Sequence, residues 1–477
     1  MIELLINGKR RPSSSGAVFE RWTPNGDSVA SVAAASTLED VVDACRAAEG
    51  AFGSWSDSSP SKRRALLLKA ADAVDERAAD FARAMAAEIG ATPGWAAFNV
   101  HLGANMLREA AGMTSQIRGD VIPSDKPGAL ALAIPVPAGV CLGIAPWNAP
   151  VILGIRAVAM ALACGNSVIL KASEICPETH SIIGEALCAA GFPDGVVYVL
   201  HNAPEHAGHI VDALIANPAV RRVNFTGSTH VGRIIAQSAA RHLKPVLLEL
   251  GGKAPCVILD DADLDAAVAG AAFGAFMNQG QICMSTERIV VDEAIADAFV
   301  QRLGAKAQTL KAGREGLPLG SMVSCAAASK VNELVSDALL KGATLLAGGG
   351  FDGPYVDAIV IDHVTPEMRL YTEESFGPVV AVVRASGDQA LANIANDSEF
   401  GLSAAVFGKD MNRALAVARS IRSGICHING PTVHDEPQMP FGGVKDSGYG
   451  RFGGTAAISE FTDLRWITIE NEQHYAI

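Results

Sequence analysis

Apolar residues recur at helical spacing through the first part of the chain, after a short strand-like opening. Apolar positions three and four residues apart, with polar residues between them, predict amphipathic helices over residues 38–52, 61–89 and 93–112. Ser61 stands at the start of the second segment and is predicted to cap that helix. The first 112 residues are therefore predicted to be mainly helical.

From residue 140 the pattern changes to strands that alternate with helices. CLGIAP and SVILKAS are short apolar runs typical of buried strands, and NAPVILGIRAVAMALACG between them is typical of a helix. GVVYVL and RRVNFTGS continue this series, and CVILDDAD, ERIVVDE and VVAVVRA form a second series that begins near Gly251. Strand–helix–strand units imply a parallel sheet, so the pattern predicts an α/β fold with two domains that meet near ELGGK. The Pro-rich segment IPSDKPGALALAIPVPAGV is strand-like and differs from its surroundings.

Composition narrows the classes of function. At 477 residues the chain exceeds one ordinary core, and 49% hydrophobic with 5% aromatic residues suits closely packed α/β layers. A net charge of −13 without a basic stripe argues against nucleic acid as a partner. The opening MIELLINGKRRPSSS lacks the apolar core of a signal peptide, and Arg156 interrupts the longest apolar run, so no membrane partner is expected. Nine scattered cysteines do not suggest a disulfide framework, and we expect a cytoplasmic protein.

Two patterns resemble binding motifs but lack the expected context. His201, His206 and His209 lie close together, yet their spacing does not match a helical zinc motif and no Cys or carboxylate cluster completes a site. Solvated loop histidines are the favoured interpretation, and no metal is predicted. The glycines of GYGRFG, residues 448–453, match G-x-G-x-x-G but follow a polar turn rather than a strand, so they do not predict a dinucleotide site.

Four segments carry residues that one chemistry would need together. Cys283 lies on a predicted turn before an apolar strand. Asn148 lies in PWN, Glu249 in ELGGK and Glu374 in EESFGP. Each alone has a simpler structural interpretation: a small buried thiol, a helix-capping amide or a salt-bridged carboxylate. The turn FTGS joins a strand to a helix and can present backbone N–H groups to a phosphate, although a turn without a ligand is an equal alternative.

Together these segments closely resemble the aldehyde dehydrogenase family, from LINGKR near the start to EFTDLRWITI near the end. The occurrence of PWN, FTGS, ELGGK and GQIC in this order is very specific. The resemblance implies a Rossmann-like NAD-binding domain over residues 1–119 and 139–249 and an α/β catalytic domain over 250–447. It also implies a small β arm for oligomerisation over 120–138 and 457–477, and a homodimer or homotetramer.

The resemblance assigns the chemistry to three residues. Cys283 would add to an aldehyde, and Asn148 with the Cys283 backbone N–H would stabilise the oxyanion. Glu249 would activate water to hydrolyse the resulting thioester. Because the family branch that transfers its acyl group to coenzyme A typically lacks this carboxylate, Glu249 implies a free acid product.

The resemblance also implies NAD as the cofactor. Lys171 and Glu174 follow a predicted buried strand and would approach the adenosine ribose. A carboxylate there accepts hydrogen bonds from the ribose hydroxyls and repels a 2′-phosphate, whereas a solvated Lys and Glu on a loop is the simpler alternative. The other implied cofactor contacts are Pro146, Trp147, Phe225, Thr226, Gly227, Ser228, Gly232, Leu250, Glu374 and Phe376.

The implied substrate is an aromatic aldehyde. Arg156 lies in an apolar helix predicted to begin at Asn148, on the face that Asn148 shares with Ile152. It falls where family members line the aldehyde tunnel and can hydrogen-bond a phenolic oxygen, while a carboxylate partner or a subunit interface is an even alternative. GWAAFNVH, QGQICMSTERIVVDE and CHING are most similar to the salicylaldehyde, vanillin and benzaldehyde dehydrogenases. The other implied tunnel residues are Trp95, Phe98, Leu102, Ile152, Ile282, Met284 and Phe441.

Two positions depart from the family pattern. Phe452 stands where many relatives carry a glutamate and Ala157 where many carry a lysine, and both positions are associated with proton relay to the base. The alternatives are a dehydrogenase of aliphatic aldehydes or semialdehydes, a cofactor-independent thiol hydrolase, and a non-catalytic nucleotide-binding or structural protein. The presence of Cys283 and Glu249 argues against the last, and a hydrolase would leave the FTGS turn without a role.

Overall fold

The computed structural model describes residues 1–314 and 316–470 of the chain. Two large, mainly parallel sheets with helices on their faces dominate the described residues, so the predicted α/β class is confirmed. The elements of the part that leads to the end of the first parallel series are β1 (Leu4–Ile6), β2 (Lys9–Arg11), β3 (Val18–Trp22), β4 (Val29–Ala34), α1 (Leu38–Ser56), α2 (Pro60–Glu76), α3 (Ala78–Ile89), α4 (Pro93–Met113), β5 (Asp120–Ile122), β6 (Leu130–Pro137), β7 (Val140–Ile144), α5 (Pro150–Ala163), β8 (Ser167–Lys171), α6 (Pro177–Ala189), β9 (Val197–Leu200), α7 (Ala207–Ala216), β10 (Val220–Thr226), α8 (Thr229–Arg241) and β11 (Val246–Glu249).

The remaining described residues form the second sheet and return to the first. Their elements are β12 (Ala254–Ile258), α9 (Leu264–Phe276), β13 (Thr286–Asp292), α10 (Glu293–Gln308), α11 (Cys325–Leu340), β14 (Thr344–Ala347), β15 (Phe351–Asp352), β16 (Tyr355–Val356), β17 (Ile359–Asp362), α12 (Arg369–Thr372), β18 (Val379–Ala385), α13 (Asp388–Asn396), β19 (Ser403–Phe407), α14 (Met411–Ser420), β20 (Ile425–Ile428), β21 (Gly448–Tyr449) and β22 (Thr462–Ile469).

The prediction of one helix over residues 61–89, capped by Ser61, is wrong. The segment forms two helices, α2 and α3, that meet at Arg77. Ser59 rather than Ser61 caps α2, because Pro60 occupies the first helical position and the Ser59 hydroxyl accepts the backbone N–H of Lys62. The helices predicted over 38–52 and 93–112 correspond to α1 and α4.

The helix predicted to begin at Asn148 begins instead at Pro150. Proline fits the first helical turn, but its ring disfavours helical geometry in the residue before it, and Ala149 has φ −135° and ψ 66°. Asn148 therefore lies in the loop between β7 and α5. The prediction that Asn148 shares a helical face with Ile152 and Arg156 is wrong for this reason.

The first sheet has the strand order β2-β1-β9-β8-β7-β10-β11-β21. From β7 the chain adds the parallel strands β8 and β9 on one side and then returns to add β10 and β11 on the other. Apolar side chains of α2 to α6 cover one face, and those of α1, α7 and α8 cover the other. The loops that follow β7 and β10 therefore flank a topological switch point, the place where open α/β sheets bind ligands.

The second sheet has the order β14-β17-β18-β13-β12-β19-β20 and is parallel except for β14. A third sheet pairs β6 with β5 and with β22, the latter along residues 130–137 and 462–469. These strands come from the segments assigned to the oligomerisation arm. Its function and the domain boundaries stay predictions, and residues 471–477 of that arm lie outside the described residues.

The apolar helices and the histidines of the described residues bear on two predictions, that the chain has no membrane span and that it binds no metal. No helix among them is long and apolar enough to cross a bilayer. His206 and His209 are exposed as predicted, but His201 is buried, and its Nε2 lies 2.9 Å from the Ser181 hydroxyl. His201 is thus a packed side chain and not a solvated one, because it directly follows the buried strand β9. Within the described ranges, no group of three His, Cys, Asp or Glu side chains is arranged to hold a metal ion.

Candidate active site

A cavity of about 250 Å³ opens at the switch point of the first sheet, between that sheet and the loops of the second. It brings together all three predicted catalytic residues and most of the predicted cofactor contacts. Its lining residues are Pro146, Trp147, Asn148, Thr226, Gly227, Ser228, Glu249, Gly251, Cys283, Glu374 and Phe376.

Cys283 lies on an irregular loop between a 3₁₀ turn, Met277–Gly280, and strand β13. Gln279 in that turn has a left-handed φ of 56°. Its side-chain amide donates to the Ser321 carbonyl at 3.0 Å and accepts the Gly320 backbone N–H at 3.1 Å. These bonds tie the loop to a distant segment, so the thiol is presented to the cavity by a fixed turn rather than by a strand.

Glu249, the last residue of β11, stands beside the thiol. It is 1% exposed, and neither carboxylate oxygen has a hydrogen-bond partner of normal geometry among the described residues. Burial raises the pKa of Glu249 to about 7, against a smaller lowering effect of the Cys283 thiol. Burial also raises the pKa of Cys283 well above its ordinary value, and the negative charge of Glu249 adds to this effect. A carboxyl group that titrates near neutral pH is suited to act as a general base.

Asn148 is fixed by three hydrogen bonds. Its Nδ2 donates to the Gln281 carbonyl at 3.1 Å, which leaves its second N–H free to donate elsewhere. Its own backbone carbonyl accepts Trp95 Nε1 at 3.0 Å and Asn278 Nδ2 at 3.1 Å. The amide is therefore held in place before any ligand arrives, as an oxyanion donor should be.

The turn over residues 226–228 leads from β10 into α8. The Ser228 hydroxyl accepts the Val231 backbone N–H at 3.4 Å and so caps the helix. A Cβ at Gly227 would lie 2.4 Å from the Phe225 ring, and a Cβ at Gly232 would lie 2.5 Å from the Leu250 side chain. Glycine at both positions allows the turn and the helix to approach the sheet closely. The start of α8 thereby offers backbone donors and a positive dipole end at the cavity.

Lys171 is the last residue of β8, and Glu174 follows it by three residues; neither is among the residues that line the cavity. They form an ion pair, and Asn202 Nδ2 donates to Glu174 Oε1 at 2.8 Å. Burial, the largest single effect, opposes ionisation of Glu174, but the charge of Lys171 together with hydrogen bonds from Lys171, the backbone and Asn202 lowers the pKa of Glu174 overall. Glu174 is therefore an ionised carboxylate at neutral pH, as its predicted contact with ribose hydroxyls requires.

Glu374 and Phe376 reach the cavity from the loop before β18. The Glu374 carboxylate accepts the Gly252 backbone N–H at 2.9 Å, and burial, followed by the charge of Glu287, raises the pKa of Glu374 to about 7. The Phe376 ring packs edge-on against Trp147, with ring centroids 5.6 Å apart. Phe376 has a left-handed φ of 46°, which is rare for a bulky residue.

None of the predicted substrate residues is among the residues that line this cavity. Arg156 and Phe441 line a second, smaller pocket. Trp95 and Phe98 stack with centroids 5.5 Å apart, and Phe98 is 40% exposed. Most of the set belongs to one apolar cluster against which Trp147 and Cys283 also pack. The members in that cluster are Trp95, Leu102, Ile152, Ile282, Met284 and Phe441.

Arg156 has a carboxylate partner, one of the two alternatives to a substrate role. Its Nη2 lies 2.5 Å from Asp435 Oδ2, and both side chains are buried. The guanidinium also stacks over the Phe441 ring at 4.2 Å and lies 5.9 Å from the centre of the Phe452 ring. The second oxygen of Asp435, Oδ1, is buried and has no partner in the described part of the chain.

A family model described as the aldehyde dehydrogenase family matches residues 11–467, nearly the whole chain. The chain belongs to the aldehyde dehydrogenase family. Vanillin dehydrogenase of Pseudomonas sp. (strain HR199 / DSM 7063) is 59% identical over 480 residues, covering 100% of this chain and 99% of that protein. A benzaldehyde dehydrogenase of Pseudomonas putida, whose name specifies NAD(+), is 36% identical over 466 residues, covering 96% of this chain and 95% of that protein.

A solved aldehyde dehydrogenase structure confirms the fold in detail. The salicylaldehyde dehydrogenase of Pseudomonas putida G7, complexed with salicylaldehyde, superposes with a TM-score of 0.97 at 48% identity, covering 100% of this chain and 99% of that chain. The resemblance drawn from PWN, FTGS, ELGGK and GQIC is thus confirmed, and so is the assignment as an enzyme of this family.

Among the features of this aldehyde dehydrogenase, Phe452 and Asp435 stand out against the predicted pattern. Phe452 is 1% exposed and pairs through its backbone with Phe441. A buried apolar ring therefore stands at the position where the family resemblance implies a proton-relay glutamate in many relatives. Asp435 was missed from sequence because 279 residues separate it from Arg156, and no local pattern marks it. A single arginine in an otherwise apolar helix was the one signal in the sequence that a buried polar partner was needed.

Proposed function

We propose that this aldehyde dehydrogenase oxidises an aromatic aldehyde to its carboxylic acid, with NAD as the oxidant and a thioester on Cys283 as the intermediate. The observation that carries the proposal is the single cavity in which Cys283, Glu249 and Asn148 meet beside the start of α8. A thiol hydrolase without a cofactor would need Cys283, Glu249 and Asn148, but it would not need the start of α8.

In the first step, the Cys283 thiol adds across the C=O bond of the aldehyde: the sulfur bonds to carbon, the carbonyl π electrons move to oxygen, and the thiol proton ends on that oxygen in the neutral thiohemiacetal. The free N–H of the Asn148 amide and the backbone N–H of Cys283 donate to the oxygen on which negative charge develops. Each such donor contributes about 3–4 kcal/mol in acyl-transfer enzymes. Loss of a hydride from the former aldehyde carbon leaves a thioester on Cys283. Glu249 then removes a proton from the water that hydrolyses this thioester and releases the thiol, and its pKa of about 7 suits this function at neutral pH.

The residues around the cavity fit NAD. The first turn of α8 and the glycine at 227 offer backbone donors to a pyrophosphate. Glycine at position 251 leaves room for the Glu374 carboxylate, because a Cβ at position 251 would lie 2.8 Å from the Glu374 carboxylate oxygens. Lys171 and Glu174 would hold the adenosine ribose, and Glu374 and Phe376 the nicotinamide ribose and ring. When bound, NAD supplies the acceptor for the hydride that leaves the substrate carbon.

An aromatic substrate is supported by two independent observations. Trp95 and Phe441 belong to the apolar cluster against which Cys283 packs, and Phe98 stacks on Trp95. Aromatic side chains of this kind favour a flat ring. The relatives that are 59% and 48% identical are named for vanillin and salicylaldehyde, both hydroxybenzaldehydes. The favoured substrate class is therefore a benzaldehyde with a ring hydroxyl.

We expect kcat/KM for vanillin and salicylaldehyde to exceed kcat/KM for hexanal by about tenfold or more, because the apolar walls discriminate by shape. The measurement is NADH absorbance with each aldehyde at saturating NAD. A preference for hexanal would overturn the aromatic assignment in favour of an aliphatic one. No NADH from any aldehyde, together with intact ester hydrolysis, would favour the thiol hydrolase, and absence of both would favour a non-catalytic protein.

The function of Arg156 must be tested with a double variant, because Arg156 and Asp435 form a buried ion pair. Arg156→Leu alone would leave a buried carboxylate unpaired at a cost of about 3–5 kcal/mol. The double variant Arg156→Leu with Asp435→Asn removes both charges. If Arg156 contacts the phenolic oxygen, the double variant should lose the preference for vanillin over unsubstituted benzaldehyde. An unchanged preference would remove only the function given to Arg156.

We expect kcat/KM with NAD to exceed that with NADP by about tenfold or more, because the Glu174 carboxylate meets the 2′-phosphate with like charge. Glu174→Gln should narrow this ratio, while Glu205→Gln, a charge-matched control exposed in the segment after β9, should not. Equal kcat/KM with both cofactors in the unmodified enzyme would refute the assignment of Glu174.

A further inference from the structure

Glu287 is a buried carboxylate that no step of the proposed reaction uses. It is the second residue of β13, four residues after Cys283, and its side chain is 4% exposed. Its Oε1 accepts the Phe376 backbone N–H at 3.0 Å, and its Oε2 accepts the Ser375 hydroxyl at 2.6 Å. The Ser375 backbone N–H lies 3.1 and 3.0 Å from the two oxygens. One carboxylate therefore satisfies the donors of two successive loop residues.

Lys253 completes this arrangement from the opposite side. Its side chain is fully buried, and its Nζ donates to Glu287 Oε2 at 2.6 Å and to the Glu373 carbonyl at 2.7 Å. The preceding residue, Gly252, donates its N–H to the Glu374 carboxylate. Every residue from 373 to 376 is thus held by the ELGGK segment or by Glu287.

The loop is held in a conformation that its residues would not adopt unaided. Phe376 has φ 46°, a left-handed value that costs about 1–3 kcal/mol in a residue other than glycine. Its N–H is bound by Glu287, which favours this conformation. Glu374 and Phe376 are the cavity residues on this loop, and the Phe376 ring meets Trp147 across it. The buried carboxylate therefore lies directly behind two predicted cofactor contacts.

We infer that Glu287 is a positioning residue for the nicotinamide end of the cofactor: it fixes Glu374 and Phe376 in their binding orientation and joins their loop to the strand that follows the nucleophile. This inference rests on the proposed use of NAD. Glu287 touches neither substrate nor cofactor, and it acts through the loop over residues 373–376. A purely structural function would lower stability without changing how the two ends of the cofactor bind.

The test compares ligands that do and do not reach this loop. AMP contains only the adenosine end of NAD, so its binding should not depend on Glu287. In Glu287→Gln we expect the Kd for NAD, measured by quenching of protein fluorescence, to rise about tenfold, as for the loss of a hydrogen bond to a charged group. The Kd of Glu287→Gln for AMP should stay within about twofold of the Kd of the unmodified enzyme, because so small a difference does not correspond to the loss of an interaction.

Two further variants keep the test decisive. If Glu287→Gln folds poorly because Lys253 is left with an unpaired charge, the double variant Lys253→Met with Glu287→Gln removes both charges. Ser375→Ala removes only the hydroxyl donor and should shift NAD binding in the same direction by a smaller factor. Asp292→Asn is the matched control. Asp292 is the last residue of the same strand, at the end opposite Glu287, and its carboxylate accepts the Gly387 backbone N–H at 3.0 Å.

Each result decides one question. Weaker NAD binding with unchanged AMP binding in the Glu287 variants, and neither change in Asp292→Asn, supports the inference. Unchanged NAD binding in folded Glu287 variants, or equal weakening of NAD and AMP, overturns it. Failure of the unmodified enzyme to bind NAD at all would instead refute the proposed cofactor, which separates the two proposals.

Discussion

Replacing Cys283 with serine should abolish aldehyde oxidation while NAD binding stays nearly intact. A hydroxyl preserves the shape of the thiol but is a far poorer nucleophile at neutral pH, so we expect kcat to fall on the order of 10³-fold or more. Cys283 is only one of eleven described lining residues, and the start of α8 and the Lys171–Glu174 pair lie on other elements. The Kd for NAD should therefore stay nearly unchanged in Cys283→Ser although aldehyde oxidation is lost.

The measurement is steady-state NADH formation, with NAD binding followed separately by fluorescence. Cys426→Ser is the matched control, because Cys426 is also partly buried and burial raises its pKa to about 11, but it lies on β20 outside the cavity lining. It should retain normal turnover. Near-normal oxidation by Cys283→Ser would exclude Cys283 as the nucleophile.

The fold was predictable from sequence wherever a local rule governs the backbone. Parallel strands were found from short apolar runs because both faces of such strands are buried, as in β7 and β8. The break between α2 and α3 at Arg77 was missed because neither glycine nor proline marks it. The start of α5 was misplaced by two residues although Pro150 was visible, since the effect of a proline on the residue before it was not applied.

The site was predictable only through its motifs. PWN, FTGS, ELGGK and GQIC lie at loops that the sheet order brings to one cavity, and that order cannot be obtained from any one motif. Partners that depend on distant loops were not predictable. Asp435 meets Arg156 across 279 residues, and Glu287 meets Ser375 across 88 residues. Buried charge shows that a partner must exist, but tertiary packing determines which residue it is.

Replacing Glu249 with glutamine should give one rapid turnover of NADH and then a stalled thioester. Hydrolysis needs a base, and its removal should lower the steady-state rate about 10²–10⁴-fold. The first turnover should survive, because the charge of Glu249 is one of the causes that raise the pKa of Cys283. Glutamine removes that charge, so the thiol should ionise at lower pH in the variant and react faster with iodoacetamide.

Rapid mixing of the Glu249→Gln enzyme with NAD and vanillin measures the burst, and mass spectrometry of the quenched protein measures the acyl group on Cys283. A burst that approaches one NADH per active site, with a mass increase matching the acyl group, is the expected result. Glu249→Asp, which keeps a shorter carboxylate, should restore part of the steady-state rate. If the burst also disappeared and alkylation slowed, Glu249 would have to act earlier, by taking the proton of Cys283. The Glu249 carboxylate lies beside the thiol and has no hydrogen-bond partner of normal geometry within the described ranges, so this alternative is the first to test.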